Sequence, residues 1–242
     1  MEIPKRMSDK MDIVKENHTK ELQKLYIIIV GAVAAGKTTL AMNLAKAFRD
    51  CFYYDKDDLG ALSEAAFKCG GETYDRHGEY FKAHVRNPEY DVSEAVTVKG
   101  LFFCDCVIYN APYTGEISKE ASGGESNRLR KLQEAVHARG GKLLLVFVEA
   151  DRETVKAHLI KRGAEDPEAY KRDRYIYDDL DAFIDTQNLK APAPGDIRHA
   201  DALFAFDSKR PKESFDKLLQ MLSVETDVEY NSEINQKLRF AT

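Results

Sequence analysis

The chain has 242 residues, 43% of them hydrophobic and 32% charged, a balance that suits one soluble domain, with or without an inserted segment, and excludes disorder throughout and collagen-like repetition. Thirty-six basic against forty-one acidic residues leave a net charge of −5. No global positive field therefore draws the protein to nucleic acid or anionic lipid, and a small molecule ranks ahead of nucleic acid as a partner.

Residues 1–24 read as a polar accessory segment, with Met11, Val14 and Leu22 too sparse for a core face and no signal-peptide core. The longest apolar run, 25–35, is eleven residues, short of the roughly 20 that span a bilayer. A cytoplasmic location, no membrane partner and reduced thiols are expected. Within that run, 25–30 (LYIIIV) is continuously β-branched and aromatic, the pattern of a strand buried on both faces of a parallel sheet.

Four further runs resemble it: 51–55 (CFYYD), 106–110 (CVIYN), 142–148 (KLLLVFV) and 202–206 (ALFAF). Helical stripes fall between them at 38–49, 128–139, 153–162 and 212–222. The alternation predicts a three-layer α/β domain over 25–224, with a five-stranded parallel sheet and helices on both faces. Ligands of such sheets sit at the carboxyl ends of the strands. Two excursions, 56–105 and 163–199, are too long for bare loops and are expected to carry helices of their own, as a substrate-binding insertion and a lid. Residues 225–242 read as a polar tail.

Directly after the first strand comes Gly31-Ala-Val-Ala-Ala-Gly36-Lys37-Thr38-Thr39, which fits the phosphate-binding pattern G-x-x-x-x-G-K-[ST], Walker A, and opens a helix. Gly31 and Gly36 let the backbone curl so that N–H groups of Ala34, Ala35, Gly36 and Thr39 face one anion. Lys37 reaches the β- and γ-phosphates, and Thr38 offers its hydroxyl to Mg²⁺. ATP and Mg²⁺ are the expected cofactors. Asp57-Asp58-Leu59-Gly60 matches the D-x-x-G of GTPases, but no N-K-x-D occurs.

The second strand ends in Tyr54-Asp55-Lys56-Asp57-Asp58, and a parallel sheet brings that carboxylate cluster to the same edge as the phosphate loop. Alternation at the strand end could divide Asp55 and Asp57 between a metal shell and an acceptor hydroxyl. The same stretch also suits an acidic turn with Asp57 or Asp58 capping the next helix, and the roles can coexist.

The combination of GAVAAGKTTL, DKDDL, a basic lid and a late strand followed by Ser208-Lys209-Arg210-Pro211 resembles the small P-loop kinases related to shikimate, gluconate and adenylate kinases, and the zeta-toxin-like ATPases, over roughly residues 25–222. The resemblance implies a P-loop NTPase fold with strand order second-third-first-fourth-fifth. It also implies Asp55 in the metal role, Asp57 binding or deprotonating the acceptor hydroxyl, and Arg210 in the loop around adenine. The chain departs from related ATPases at Asn110, where an Asp often stands; an amide can hold a metal-bound water but adds no charge.

Five cations lie between 161 and 174: Lys161, Arg162, Lys171, Arg172 and Arg174. A lid closing arginines over the γ-phosphoryl group stabilises developing charge and excludes water, with Arg162 and Arg174 the candidates; pairing with Glu165, Asp166, Asp173 and Asp178 is the alternative. In the insertion, Arg76 and Arg86 could grip an acceptor carboxylate or phosphate, or pair with Asp75 and Glu89. His77, His84 and Glu116 are weaker candidates for the cleft. Cysteines 51, 69, 104 and 106 lack zinc-site spacing and suit buried packing. The reading is an ATP- and Mg²⁺-dependent kinase, a phosphotransferase for a hydroxyl of a small polar acceptor. A nucleotide-binding switch acting through a protein partner and a polynucleotide 5′-hydroxyl kinase are the alternatives.

Overall fold

Strand β1 (Lys24–Gly31) lies at the centre of a five-stranded sheet with β2 (Cys51–Asp55), β3 (Cys106–Asn110), β4 (Gly141–Glu149) and β5 (Ala202–Asp207). The order is β2-β3-β1-β4-β5 and every pairing is parallel. The computed structural model describes residues 23–225 except 77, 168, 169, 171 and 172. Most of the accessory segment, the tail, His77, Lys171 and Arg172 lie outside the described residues.

The unbroken apolar run of β1 follows from its position. Leu25, Ile27 and Ile29 enter one core, while Tyr26, Ile28 and Val30 enter another on the opposite face. All six are fully buried, because successive side chains of a strand point to opposite faces and both faces are covered. The first core is closed by α1 (Lys37–Ala47), α6 (Arg152–Glu165) and α9 (Pro211–Glu225), which contribute Leu40 and Leu44, Val155 and Leu159, and Phe215, Leu218 and Leu222. The second is closed by α3 (Arg86–Gly100), α4 (Thr114–Ala121) and α5 (Asn127–His137), through Tyr90 and Val98, Ile117, and Leu129, Leu132 and Val136.

Both excursions carry helices. After β2 the chain turns at once into a 3-10 helix (Lys56–Leu59), then α2 (Gly60–Cys69), and a π-helical turn (Phe81–Val85) that runs into α3. Phe67, Phe81 and Val85 form a small core of their own, flanked by Tyr74 and Tyr80. The second excursion holds α7 (Arg174–Asp178), α8 (Leu180–Asp185) and a 3-10 turn (Pro194–Asp196). Ile176 and Ile184 anchor it to the first core, and Arg152 of α6 bonds Asp181 at 2.9 Å. Buried Glu120 ties down the stretch before β5, accepting from the backbone N–H of Arg198 at 2.9 Å and of His199 at 3.2 Å. Of the cysteines, Cys106 is buried, Cys51 and Cys104 are half-buried and Cys69 is exposed, so packing accounts for three and not for Cys69. No helix among the described residues is long and apolar enough to cross a membrane.

Candidate active site

The loop from Gly31 to Lys37 joins β1 to α1 at the carboxyl edge of the sheet. Gly31 has φ 135°, and a Cβ there would stand 2.8 Å from the Val148 carbonyl oxygen of β4, so the β1–β4 pairing tolerates no side chain at this position. Gly36 has φ 100° with open space about it and precedes α1 without a side-chain cap. The first N–H groups of a helix have no intrahelical partners, so this end presents donors and a positive dipole to an anion. Between them Ala34 takes φ 59°, an unusual conformation for a residue with a Cβ.

Lys37 is half-buried and its ammonium donates to the Ala32 carbonyl at 2.7 Å. Burial pushes its pKa down to about 8, against the pull of Asp57 and Asp55. The positive charge of Arg162 adds to the depression.

Parallel register aligns Asn110 with Asp55 on one side and Ile29 on the other, so the carboxyl end of β3 lies between Asp55 and the phosphate loop. The Asn110 amide donates both to Thr38 Oγ1 at 3.0 Å and to Asp55 Oδ2 at 2.6 Å, while its Oδ1 is buried without a hydrogen-bond partner. Reversing the amide would set two oxygens 2.6 Å apart, which disfavours that orientation. Among the described residues no cluster of three His, Cys, Asp or Glu could hold a metal ion. The Thr38 hydroxyl and the Asp55 carboxylate, bridged by the Asn110 amide, nonetheless fit Mg²⁺, a hard cation that keeps several waters and takes its remaining ligands from substrate phosphates.

Asp55 also accepts from the Asp57 N–H at 3.0 Å and so caps the 3-10 helix. This corrects the expectation that Asp57 or Asp58 would be the cap: the strand ends at Asp55 as expected, but the 3-10 helix begins at the next residue, so Asp55 itself takes the cap position. Asp57 is exposed and accepts from Arg76 at 3.1 Å. Partial burial raises its pKa, but Arg76 and Lys56 outweigh that and hold the carboxyl below the usual range.

Arg76 also donates to Glu89 at 3.0 Å and stacks over Phe81 with its guanidinium 5.4 Å from the ring centre. Its partners are Glu89 and Asp57, so it connects the insertion to the carboxylate at the loop. Lys56, Ser63 and Glu89 complete a buried cluster: Lys56 pairs with Glu89 at 2.6 Å, and the Ser63 hydroxyl donates to the same carboxylate. The sequence reading missed this cluster; the spacing Lys56, Ser63, Glu89 carries no motif.

Arg86 donates to Glu116 at 3.2 Å. With Lys56 and Arg128 it surrounds the Tyr90 ring, the three cations standing 5.3, 5.1 and 5.1 Å from its centre in the order Lys56, Arg86, Arg128. Arg86, Asn87, Glu116, Lys119, Asn127 and Arg128 line an open cavity of about 380 Å³. A second, of about 480 Å³, lies inside the insertion against Phe67, Asp75, Tyr80 and His84.

The other candidates separate. Arg162, one helical turn beyond His158 on α6, pairs with Asp173 at 2.5 Å. Arg174 points to Asp178 at 3.4 Å and is mostly exposed; no contact brings it to the loop. Arg210 pairs with Asp207 at 3.0 Å and Glu213 at 3.6 Å beyond β5, exposed.

Comparison with solved structures aligns 84% of this chain with 98% of a candidate kinase from Chloroflexus aurantiacus J-10-fl, at 17% identity and a TM-score of 0.54. A sugar kinase from Janibacter sp. HTCC2649 aligns over 84% of this chain and 95% of its own at 15% identity and a TM-score of 0.46. Shikimate kinase from Acinetobacter baumannii aligns over 83% and 93% at 16% identity and a TM-score of 0.39. No protein-family model matches the chain, and no curated protein sequence matches it. At such identities the likeness speaks for the fold: this chain has the α/β fold of the P-loop kinases.

Proposed function

We propose that the protein is a phosphotransferase that moves the γ-phosphoryl group of ATP to a hydroxyl of a small polar acceptor, with Mg²⁺. The observation that carries this is convergence: Thr38, Asp55 and Asn110 are joined by hydrogen bonds at the mouth of the phosphate loop, and Asp57 stands one backbone turn away.

In this reading the N–H groups of the loop and of the start of α1 cradle the phosphates, and Lys37 supplies a mobile positive charge. Phosphate oxygens beside Lys37 give its ammonium the counter-charge that burial withholds, so anion binding and Lys37 protonation reinforce each other. Thr38 and Asp55 would hold Mg²⁺ and its waters, with the Asn110 amide orienting both oxygens. When bound, Mg²⁺ neutralises charge on the β- and γ-phosphate oxygens.

Asp57 is ionised at neutral pH by its cationic neighbours, so it can accept a hydrogen bond from the acceptor hydroxyl and orient its oxygen for in-line attack. A carboxylate this weakly basic takes the proton late, which agrees with a loose transition state in which positioning outweighs proton abstraction. Arg76 fixes the carboxylate's direction. Arg162, released from Asp173, would offset charge on the transferring group, and Arg174 could join it only after the lid moves. The cavity beside Arg86 and Arg128 gives room for a small, polar acceptor. A cytoplasmic location accords with a nucleotide-dependent reaction.

The test is transfer of label from γ-labelled ATP with Mg²⁺ to pools of metabolites, nucleosides and 5′-hydroxyl oligonucleotides, with Lys37→Ala run in parallel. Label reaching a small acceptor in the parent alone supports the proposal. Label on the oligonucleotide alone would replace the acceptor class with nucleic acid, and ATP binding without transfer to any pool would favour the switch.

A further inference from the structure

Helix α6 runs from Arg152 to Glu165, directly after β4, and buries Val155 and Leu159 in the core beneath the phosphate loop. Flanking these on the same side of the helix are His158 and Arg162, four residues apart and therefore one above the other. His158 Nδ1 lies 2.9 Å from the carbonyl oxygen of Ala34, across 124 positions of sequence. The geometry requires a proton on Nδ1, since a carbonyl only accepts.

Ala34 is the one residue of the phosphate loop that bears a side chain and has a left-handed backbone, at φ 59°. Such a conformation persists only where its surroundings hold it. Two bonds do so. The Ala35 N–H donates to the Ala32 carbonyl at 3.3 Å, and the Ala34 carbonyl accepts from His158. Both belong to the single planar peptide between Ala34 and Ala35, so rotating it would break both. The turn bond is long; the imidazole bond is the shorter and comes from a rigid element outside the loop.

One helical turn on, Arg162 pairs with Asp173, which precedes α7, and its charge acts on Lys37. The Tyr177 hydroxyl of α7 donates to the Leu159 carbonyl at 3.3 Å. One face of α6 thus touches the phosphate loop at one turn and the lid at the next.

We infer that His158 is a positioning residue: by donating to Ala34 it holds the phosphate loop in its anion-binding form, and it fixes the loop to the same helix face whose Arg162 pairs with Asp173 of the lid. The inference deepens the proposed nucleotide site and rests on that reading for its effect on ATP, though not for its effect on the loop.

The test compares His158→Leu, which fills the space without a donor, His158→Asn, whose amide nitrogen lies at the reach of Nδ1, and His158→Gln, whose amide lies one bond farther. Two readouts are taken: deuterium uptake of residues 32–38 in the free protein, and the dissociation constant for MgATP by calorimetry beside KM for ATP and kcat. His158→Leu is expected to raise loop uptake and weaken MgATP binding about tenfold, of the order expected for one lost hydrogen bond and a loosened turn. KM for ATP should change more than kcat. His158→Asn should restore both readouts to within about threefold of the parent and His158→Gln should not, at equal melting temperatures. Loop uptake unchanged in His158→Leu, or equal defects in the Asn and Gln variants, would overturn the inference. If His158→Leu does not fold, the Asn and Gln pair decides it. A parent that binds no ATP would refute the nucleotide reading, while loop uptake would still judge the tether.

Discussion

Glu89 offers a severe test of how the insertion is built. Its side chain is 3% exposed and accepts from Lys56, 5% exposed, at 2.6 Å, from Arg76 at 3.0 Å and from the Ser63 hydroxyl. Glu89→Ala leaves the Lys56 ammonium buried with its principal counter-charge gone; Asp57, at 3.9 Å and well exposed, is a poor substitute. Removing one partner of a buried pair costs about 3–5 kcal/mol. For a chain of this size each kcal/mol shifts the melting temperature by about 2–4 °C, so a drop of roughly 6–20 °C is expected. Adding Lys56→Met should recover most of it, because removing both charges eliminates the unpaired group. Urea unfolding followed by circular dichroism measures both variants. A single variant within about 1 kcal/mol of the parent, or a double variant less stable than Glu89→Ala, would refute the account of a buried, mutually dependent pair.

Lys37, with its pKa lowered from 10.5 to about 8, should lose charge as pH rises through 8 in the free protein, so affinity for ATP should fall above pH 8, and a flat profile from pH 7 to 10 would contradict this. The linked effect on folding has the opposite sense: between pH 8 and 10.5 the unfolded chain holds a proton that the folded chain lacks, so stability rises with pH across that window, by less than about 3 kcal/mol because the group is half-exposed. Lys37→Met should abolish the rise, as unfolding curves at pH 7.5 and 10 would show. Asn110→Asp would set two carboxylates about 2.6 Å apart in place of the amide contact, which destabilises the protein in chelator; with ADP present, Mg²⁺ should raise its melting temperature more than the parent's, and an equal rise would exclude residue 110 from the metal shell. Arg162→Ala should lower kcat by about 10–10³ if it offsets developing charge, while Arg174→Ala should fall less than threefold in the same assay; the reverse order would assign the role to Arg174.

The five strands and their parallel arrangement were legible because each buried strand must be apolar along its whole length, and β1 wrote that demand into six consecutive residues. The phosphate loop was legible for a similar reason. Its glycines, lysine and threonine act through local backbone geometry, so their spacing is fixed by the chain itself and survives as a pattern. Asp55 and Asp57 could be placed at the loop because parallel register brings the ends of β2 and β1 to one edge, although the cap expected at Asp57 or Asp58 falls to Asp55.

What the tertiary structure decided are the contacts made across long separations. Glu89 meets Lys56 over 33 positions and Asn110 meets Thr38 over 72, while His158 meets Ala34 over 124. The fold, and no local periodicity, sets these separations. Arg162 and Arg174 look alike in sequence, yet a short stretch of chain directs one to half-buried partnership with Asp173 and the other to solvent beside Asp178. A linear pattern records which side chains the backbone demands nearby; which charges meet is fixed only when the helices pack, because electrostatic partners are chosen by distance in space.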